Sequence, residues 1–210
     1  MTTPKPTSTR RHQQEQPRAG LLTRLFCCQL LLILTSVTHP LRGQGIPENQ
    51  PDIGQRAPDF ELPLVGQKMF LSLRDEYRNG PVVVIVLRGY PGYQCPNCKN
   101  QFNAVVNRAK ALSMESKCVV LVYPGNAEQL EKHSKHFLGS RKLPHPIKVV
   151  RDDDMRMVEE WGIRWETRNQ TAYPSTFVVD QNGRIAWKKV SSTSAGRSTV
   201  EEILRELRKL

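Results

Sequence analysis

The sequence predicts an α/β domain of three layers: a central mixed β-sheet with helices on both of its faces. From about Gly54 onward, short apolar runs alternate with segments whose apolar residues recur at helical spacing. The strongest runs are apolar at every position, as in strands covered on both sides. Near the C-terminal end, two further strand-like segments flank Gln181-Asn182-Gly183. Alternation implies parallel βαβ units, and the closing hairpin adds antiparallel strands to the same sheet.

Taken in order, PVVVIVLRG (81–89) is the most continuous apolar run and reads as the central strand. Residues 99–112 place Phe102, Val105, Val106, Ala109 and Leu112 on one helical face. CVVLVYPG (118–125) is a second covered strand, stopped by Pro-Gly. A helix is expected over 127–138, with Leu130, Phe137 and Leu138 apolar, then a strand over 147–152. MRMVEEWGI predicts a short helix ending at Gly162. STFVVD and RIAWKKV form the predicted hairpin, whose Asn-Gly supplies positive φ angles for a tight turn. TVEEILREL closes the chain as an amphipathic helix, with Ser198 or Thr199 as N-cap.

Composition suits a globular chain, with 38% hydrophobic and 24% charged residues. A domain of about 150 residues buries roughly 70% of its unfolded surface, so folding needs neither metal nor disulfide. The net charge of +11 does not point to nucleic acid. Residues 1–45 carry Lys5, Arg10, Arg11, Arg18, Arg24 and Arg42 against Glu15 alone, and the remaining excess is dispersed through mixed-sign sequence. No basic stripe with interleaved aromatics occurs.

Two regions follow: a basic segment over 1–45 and a folded domain over 46–210. The apolar run Leu25 to Val37 within the first suits the core of a signal peptide and is short for a membrane span of about 20 residues. Cleavage is expected near Gly43 to Gly45, giving an exported (periplasmic or extracellular) protein; an uncleaved membrane anchor is the alternative. Cys27 and Cys28 lie at the start of that run, which leaves Cys95, Cys98 and Cys118 in the domain. Cys118 opens a covered strand and reads as a small core residue. Disulfides persist in exported proteins.

RGYPGYQCPNC (88–98) ends the central strand and opens the first long helix. In open α/β sheets, reacting groups collect at the carboxyl ends of strands. A helix N-terminus adds unpaired N–H groups and about half a positive charge, both favouring thiolate. A free cysteine near pKa 8.5 is about 3% ionised at pH 7, whereas Cys-x-x-Cys thiols at helix starts can fall to about 3.5–7. Cys95 and Cys98 are therefore the candidate catalytic pair. Pro96 stiffens their loop, and Tyr90 and Tyr93 flank it.

GQRAPDFELP (54–63), the apolar strand, PGYQCPNC and FVVDQNGRI together resemble the peroxiredoxin (alkyl hydroperoxide reductase and thiol-specific antioxidant) family of the thioredoxin superfamily, over about Ile53 to Leu210. The resemblance implies a thioredoxin-like fold and hydroperoxide reduction without a cofactor. It matches Pro91 to the family's active-site proline and Cys98 to its peroxide-attacking cysteine. Cys95 stands where the family has Thr or Ser, making a vicinal pair like that of thioredoxin-type reductases. Before the Ser-Thr-Phe strand, where several peroxiredoxins carry an arginine, this chain has Pro174, which resembles the cis-proline of thioredoxins. Arg88, Arg164 and Arg168 are the candidates to substitute for that arginine, and the sequence does not place them at the site.

Two versions of the chemistry follow. In one, Cys98 thiolate takes an oxygen from a hydroperoxide and Cys95 resolves the sulfenic acid. In the other, Cys95 attacks a substrate disulfide and Cys98 resolves. Cys98, in the first helical turn, is the expected peroxide-reactive thiolate. Either needs an external dithiol reductant, such as a thioredoxin-like protein. The rival readings are a structural disulfide and a metal or copper-delivery module; His133 and His136 stand at His-x₂-His, off the usual zinc spacing, so no metal ligands are assigned.

Overall fold

The computed structural model describes Gly45 and Glu48 to Leu210. The expectations for the signal-like run and its cleavage lie outside the described residues. Among the described residues, no helix is long and apolar enough to cross a membrane.

A short antiparallel pair, β1 (Glu61–Pro63) and β2 (Phe70–Ser72), precedes α1 (Leu73–Tyr77). Then follow β3 (Val82–Val86), α2 (Pro96–Asn107), α3 (Ala109–Glu115), β4 (Cys118–Gly125), α4 (Leu130–Leu138) and β5 (Ile147–Asp153). The chain ends with α5 (Arg156–Glu160), β6 (Ser175–Val179), β7 (Ile185–Val190) and α6 (Val200–Leu207). The main sheet has the order β5-β4-β3-β6-β7. β3, β4 and β5 run parallel, and β6 and β7 join antiparallel. This is the expected mixed sheet, with β3 at its centre.

Side-chain alternation along β3 and β4 builds two cores. Val82, Val84, Val86, Cys118, Val120 and Val122 face Leu73 and Tyr77 of α1, Met157 and Val158 of α5, and Trp161. Val83, Ile85, Val119 and Leu121 face Phe102 and Val105 of α2, Phe137 of α4 and Ile203 and Leu204 of α6. Both faces of β3 are covered, so its residues are apolar throughout. Helices on each side complete the three layers.

Three local features differ from expectation. The helix predicted over 99–112 starts earlier and breaks at Arg108 (φ −109°, ψ 15°) into α2 and α3. α4 begins at Leu130 rather than 127 because Gln129 is left-handed (φ 62°). In the β6–β7 turn, Gly183 alone has positive φ (75°), and its N–H donates to Asp180 O. Asp180 Oδ1 accepts from the Asn182 and Arg184 N–H groups, so this aspartate organises the turn where an Asn-Gly pair was expected to. At the end, Thr199 caps α6 through a reciprocal pair with Glu202.

Candidate active site

β3 delivers the chain to the site through one close approach. After Val86 the backbone turns at Gly89 (φ 64°), where a Cβ would stand 1.9 Å from the Pro124 carbonyl oxygen. Only glycine fits. Tyr90 N–H then donates to Pro124 O (2.9 Å), holding the loop against the end of β4.

Cys95 is the N-cap of α2, in extended conformation, and Pro96 occupies the first helical position, where its missing N–H costs nothing. Cys98 is the third helical residue, and its backbone N–H donates to Cys95 Sγ at 3.4 Å. The sulfur of Cys95 thus takes the place a serine or aspartate oxygen takes at an ordinary cap. Both thiols are free and buried, Cys98 at 0% exposure and Cys95 at 2%.

A cation lies over the pair. Arg197 Nη2 is 3.3 Å from Cys98 Sγ and 4.0 Å from Cys95 Sγ. Its other nitrogens are fixed, Nη1 to Gln101 Oε1 (2.7 Å) and Nε to Ser194 O (3.0 Å). Asn97 Nδ2 also donates to Ser194 O (3.1 Å), tying the start of α2 to the β7–α6 connection. Nothing in the local sequence marks Arg197. It is one arginine in a Ser/Thr-rich connection, 99 residues from the cysteine it touches.

The hydrogen bonds and charges around the pair favour an anion on Cys95 over one on Cys98. A hydrogen bond from the Cys98 side chain, the Cys98 backbone N–H, and the charges of Arg197 and Arg88 hold its thiol down to about 5, against burial. Burial and the neighbouring Cys95 sulfur push the Cys98 thiol well above the usual range. Burial of Cys98 thus works against its place in the first helical turn, on which its expected role as the thiolate rests.

The other expected site residues are distributed as follows. Arg88 is buried, and its guanidinium donates to Gln170 Oε1 (2.5 Å), Asn169 O (2.8 Å) and the Tyr93 hydroxyl. It acts on Cys95 through its charge and lies over the Tyr93 ring at 5.1 Å. Tyr93 is 47% exposed at the mouth of the site. Pro91 is buried in the loop and Pro96 is exposed. Arg164 donates to the carbonyls of Trp165 (2.8 Å), Gln170 (3.2 Å) and Thr171, which makes it a loop brace; Arg168 is exposed.

Pro174 departs from the thioredoxin-like expectation. Among the described residues the cis bond is His145–Pro146, so Tyr173–Pro174 is trans. Tyr173 N–H donates to Ile163 O and Pro174 O accepts from Ser191 N–H, both at 2.9 Å. These pairings hold the segment extended as it enters β6, the conformation favoured before a trans proline. Pro174 is buried.

Cys118 lies in the core on the opposite side of the sheet from the pair, at 0% exposure, and burial raises its thiol. His133 stacks on Tyr90 (3.6 Å between ring centres, 10°), and His136 is exposed on α4. Among the described residues, no three His, Cys, Asp or Glu side chains converge as metal ligands.

A family model described as Redoxin matches residues 52–204, the whole sheet and the cysteine pair included. The chain belongs to the Redoxin family. It is 23% identical over 171 residues to the thiol:disulfide interchange protein DsbE of Xylella fastidiosa (strain 9a5c), covering 81% of this chain and 78% of that protein. Among solved structures it is similar to the peroxidoxin BcpB of Mycobacterium tuberculosis, with TM-score 0.58, 18% identity, and coverage of 77% of this chain and 99% of that one. It is also similar to a Chlorobium tepidum protein assigned as thiol:disulfide interchange protein DsbE (TM-score 0.56, 21% identity, 75% and 99% coverage). Those likenesses place the Redoxin chain in the thioredoxin-like fold. With its paired thiols at a helix start, it is a thiol oxidoreductase.

Proposed function

We propose that this Redoxin protein is a thiol–disulfide reductase in which Cys95 attacks and Cys98 resolves. One observation carries the reading: the two thiols are electrostatically unlike, Cys95 held near 5 as a capped, arginine-paired anion and Cys98 kept protonated by burial. Cys95 thiolate attacks one sulfur of a substrate disulfide, breaking that S–S bond. The departing sulfur leaves as thiolate and takes a proton from water. Cys98 then gives up its proton and attacks Cys95 Sγ, which releases the second substrate thiol and leaves a Cys95–Cys98 disulfide. The substrate gains two electrons, and the protein dithiol loses them. An external dithiol, such as a thioredoxin-like protein, restores the pair. No prosthetic group enters.

Peroxide reduction is the second reading, favoured by the Pro91-to-Cys98 spacing and by Arg197 Nη2 lying nearer Cys98 (3.3 Å) than Cys95 (4.0 Å). There a cysteine thiolate takes one oxygen from a hydroperoxide and the other leaves as water or alcohol. The resulting sulfenic acid condenses with the second thiol, releasing water.

Cys95→Ser and Cys98→Ser, each exposed to a disulfide and to one equivalent of peroxide, separate these readings. The reductase reading expects Cys98→Ser to accumulate a mixed disulfide at Cys95. Sulfenic acid trapped at Cys98 in Cys95→Ser, with no mixed disulfide in either variant, overturns it. Residues 1–45, with their basic segment and 13-residue apolar run, support export to a compartment where disulfide substrates persist.

A further inference from the structure

We propose that Gln170 is a positioning residue for the cysteine pair: its carboxamide holds the buried Arg88 guanidinium in place, so that an uncancelled positive charge acts on Cys95. The inference rests on the reductase reading above, in which Cys95 is the attacking thiolate. Arg88 is 7% exposed. Its guanidinium donates to Gln170 Oε1 (2.5 Å), Asn169 O (2.8 Å) and the Tyr93 hydroxyl, and all three acceptors are neutral. A carboxylate in any of those places would satisfy the same N–H groups and cancel the charge. Neutral oxygens satisfy them and leave the charge whole, in a place where little water screens it.

Three consecutive residues clasp Arg88 from a distant part of the chain. Asn169 O and Gln170 Oε1 take its guanidinium, and the Thr171 hydroxyl donates to its carbonyl oxygen. Asn169 is left-handed (φ 58°), a conformation that asparagine takes more readily than most residues. The segment is braced by its own contacts. Arg164 Nη1 donates to the carbonyls of Trp165, Gln170 and Thr171, Trp165 N–H donates to Thr171 O (3.0 Å), and Gln170 N–H donates to Thr167 O (3.1 Å). Of the three acceptors on the guanidinium, Tyr93 belongs to the cysteine loop itself and is 47% exposed, and Asn169 offers a main-chain carbonyl. Gln170 supplies a side-chain oxygen to Nε, the nitrogen nearest the stem, and so fixes the plane of the fork.

Arg88 bears on both cysteines. Its backbone N–H donates to the Cys98 sulfur. Hydrogen bonds from Cys98 lower the Cys95 thiol most, and the charges of Arg197 and then Arg88 add to them. Two cations from separate elements therefore act on one sulfur, Arg197 from the connection before α6 and Arg88 from the end of β3. A guanidinium released from Gln170 keeps its charge but loses its fixed direction. Its effect then falls with distance and with access to water, and its pull on Cys95 weakens.

The test follows the Cys95 inflection in the full-length protein by thiolate absorbance near 240 nm, assigned by mass spectrometry of the Cys95 peptide alkylated at each pH. Gln170→Leu, which keeps the bulk and removes the acceptor, should raise that inflection by about half a unit, a roughly threefold loss of thiolate at pH 4. Arg88→Met should raise it by about one unit, and the double variant should go no further than Arg88→Met alone. Gln170→Glu, which keeps the hydrogen bond and cancels the charge, should raise it at least as far as Gln170→Leu, and it stands in where Arg88→Met does not fold. An inflection unmoved in Gln170→Leu overturns the positioning role and leaves the reductase reading standing. So does a shift of equal size with and without Arg88, or an alkylation rate changed by one factor at every pH. A low-pH inflection that belongs to Cys98 in the parent, with no mixed disulfide at Cys95 in Cys98→Ser, overturns the reductase reading and this role with it.

Discussion

Arg197 Nη2 stands 3.3 Å from Cys98 Sγ, brought there by the connection between the last strand and the last helix. The guanidinium serves the pair rather than one sulfur, because its charge also lowers the Cys95 thiol. Replacing it with methionine, similar in reach but uncharged, should raise the Cys95 inflection from about 5 to about 6 or above. Thiolate absorbance near 240 nm, followed across pH in Arg197→Met, reads this directly. An unmoved inflection would mean that the Cys98 hydrogen bonds and the Arg88 charge hold the anion without Arg197.

The Cys95 thiol predicts a pH profile for the parent. Alkylation by iodoacetamide should be nearly flat above about pH 6 and fall about tenfold per pH unit well below 5. A lowered thiol makes the folded, reduced protein the better anion holder. That contribution to stability is full above the ordinary value of 9.0 and is lost as pH falls toward about 5. Cys95→Ser should lack this slope in denaturant unfolding between those limits.

Asp152 should contribute a slope of the opposite sign. It is fully buried, accepts from the Met157 and Val158 N–H groups (2.9 and 3.0 Å), and is raised by burial to about 6 from 3.8. Its stabilising effect is present below 3.8 and is lost as pH rises through 6. The parent should therefore lose roughly 2 kcal/mol from this group between pH 4 and 7. Asp152→Asn, compared by urea unfolding at both pH values, should not show that loss.

Gly89 and Gly92 lie three residues apart in one loop with positive φ, yet they should respond differently. Gly92→Ala meets no atom within 4 Å and should cost about 1–2 kcal/mol, the left-handed backbone alone. Gly89→Ala drives a methyl into the Pro124 carbonyl, so it should cost more than about 3 kcal/mol and displace the cysteine loop. Paired denaturation midpoints decide it.

Cys118→Ala should leave turnover intact, since the sheet separates Cys118 from the reacting pair. The lost packing should cost about 1 kcal/mol, as small core deletions do. Thermal unfolding together with a turnover assay checks both halves.

The main sheet was legible because β3 and β4 are covered on both faces, and five to eight consecutive apolar residues leave little else to propose. The cysteine pair was legible for a local reason: a strand end, a proline and a helix start are all written within residues 88–98. β1 and β2 escaped notice because three residues are too few to show a period. The break at Arg108 leaves the apolar spacing almost unchanged, so periodicity passes over it. Arg197 was missed because its role depends on how β7 and α6 bring a distant loop over the sulfurs. The cis bond expected at Pro174 came from resemblance alone; the bond is trans, and main-chain pairing to Ile163 and Ser191 flanks it.

The sulfur cap of α2 also has an electrochemical consequence. Cap and guanidinium favour an anion that exists only in the dithiol, because the disulfide carries no charge. Both therefore draw the couple toward its reduced form and make the oxidised protein the stronger electron acceptor. Between about pH 5 and the much higher pKa of Cys98, reduction takes up two electrons but a single proton. Over that range the midpoint potential should fall by about 30 mV per pH unit, half the slope of an ordinary dithiol couple.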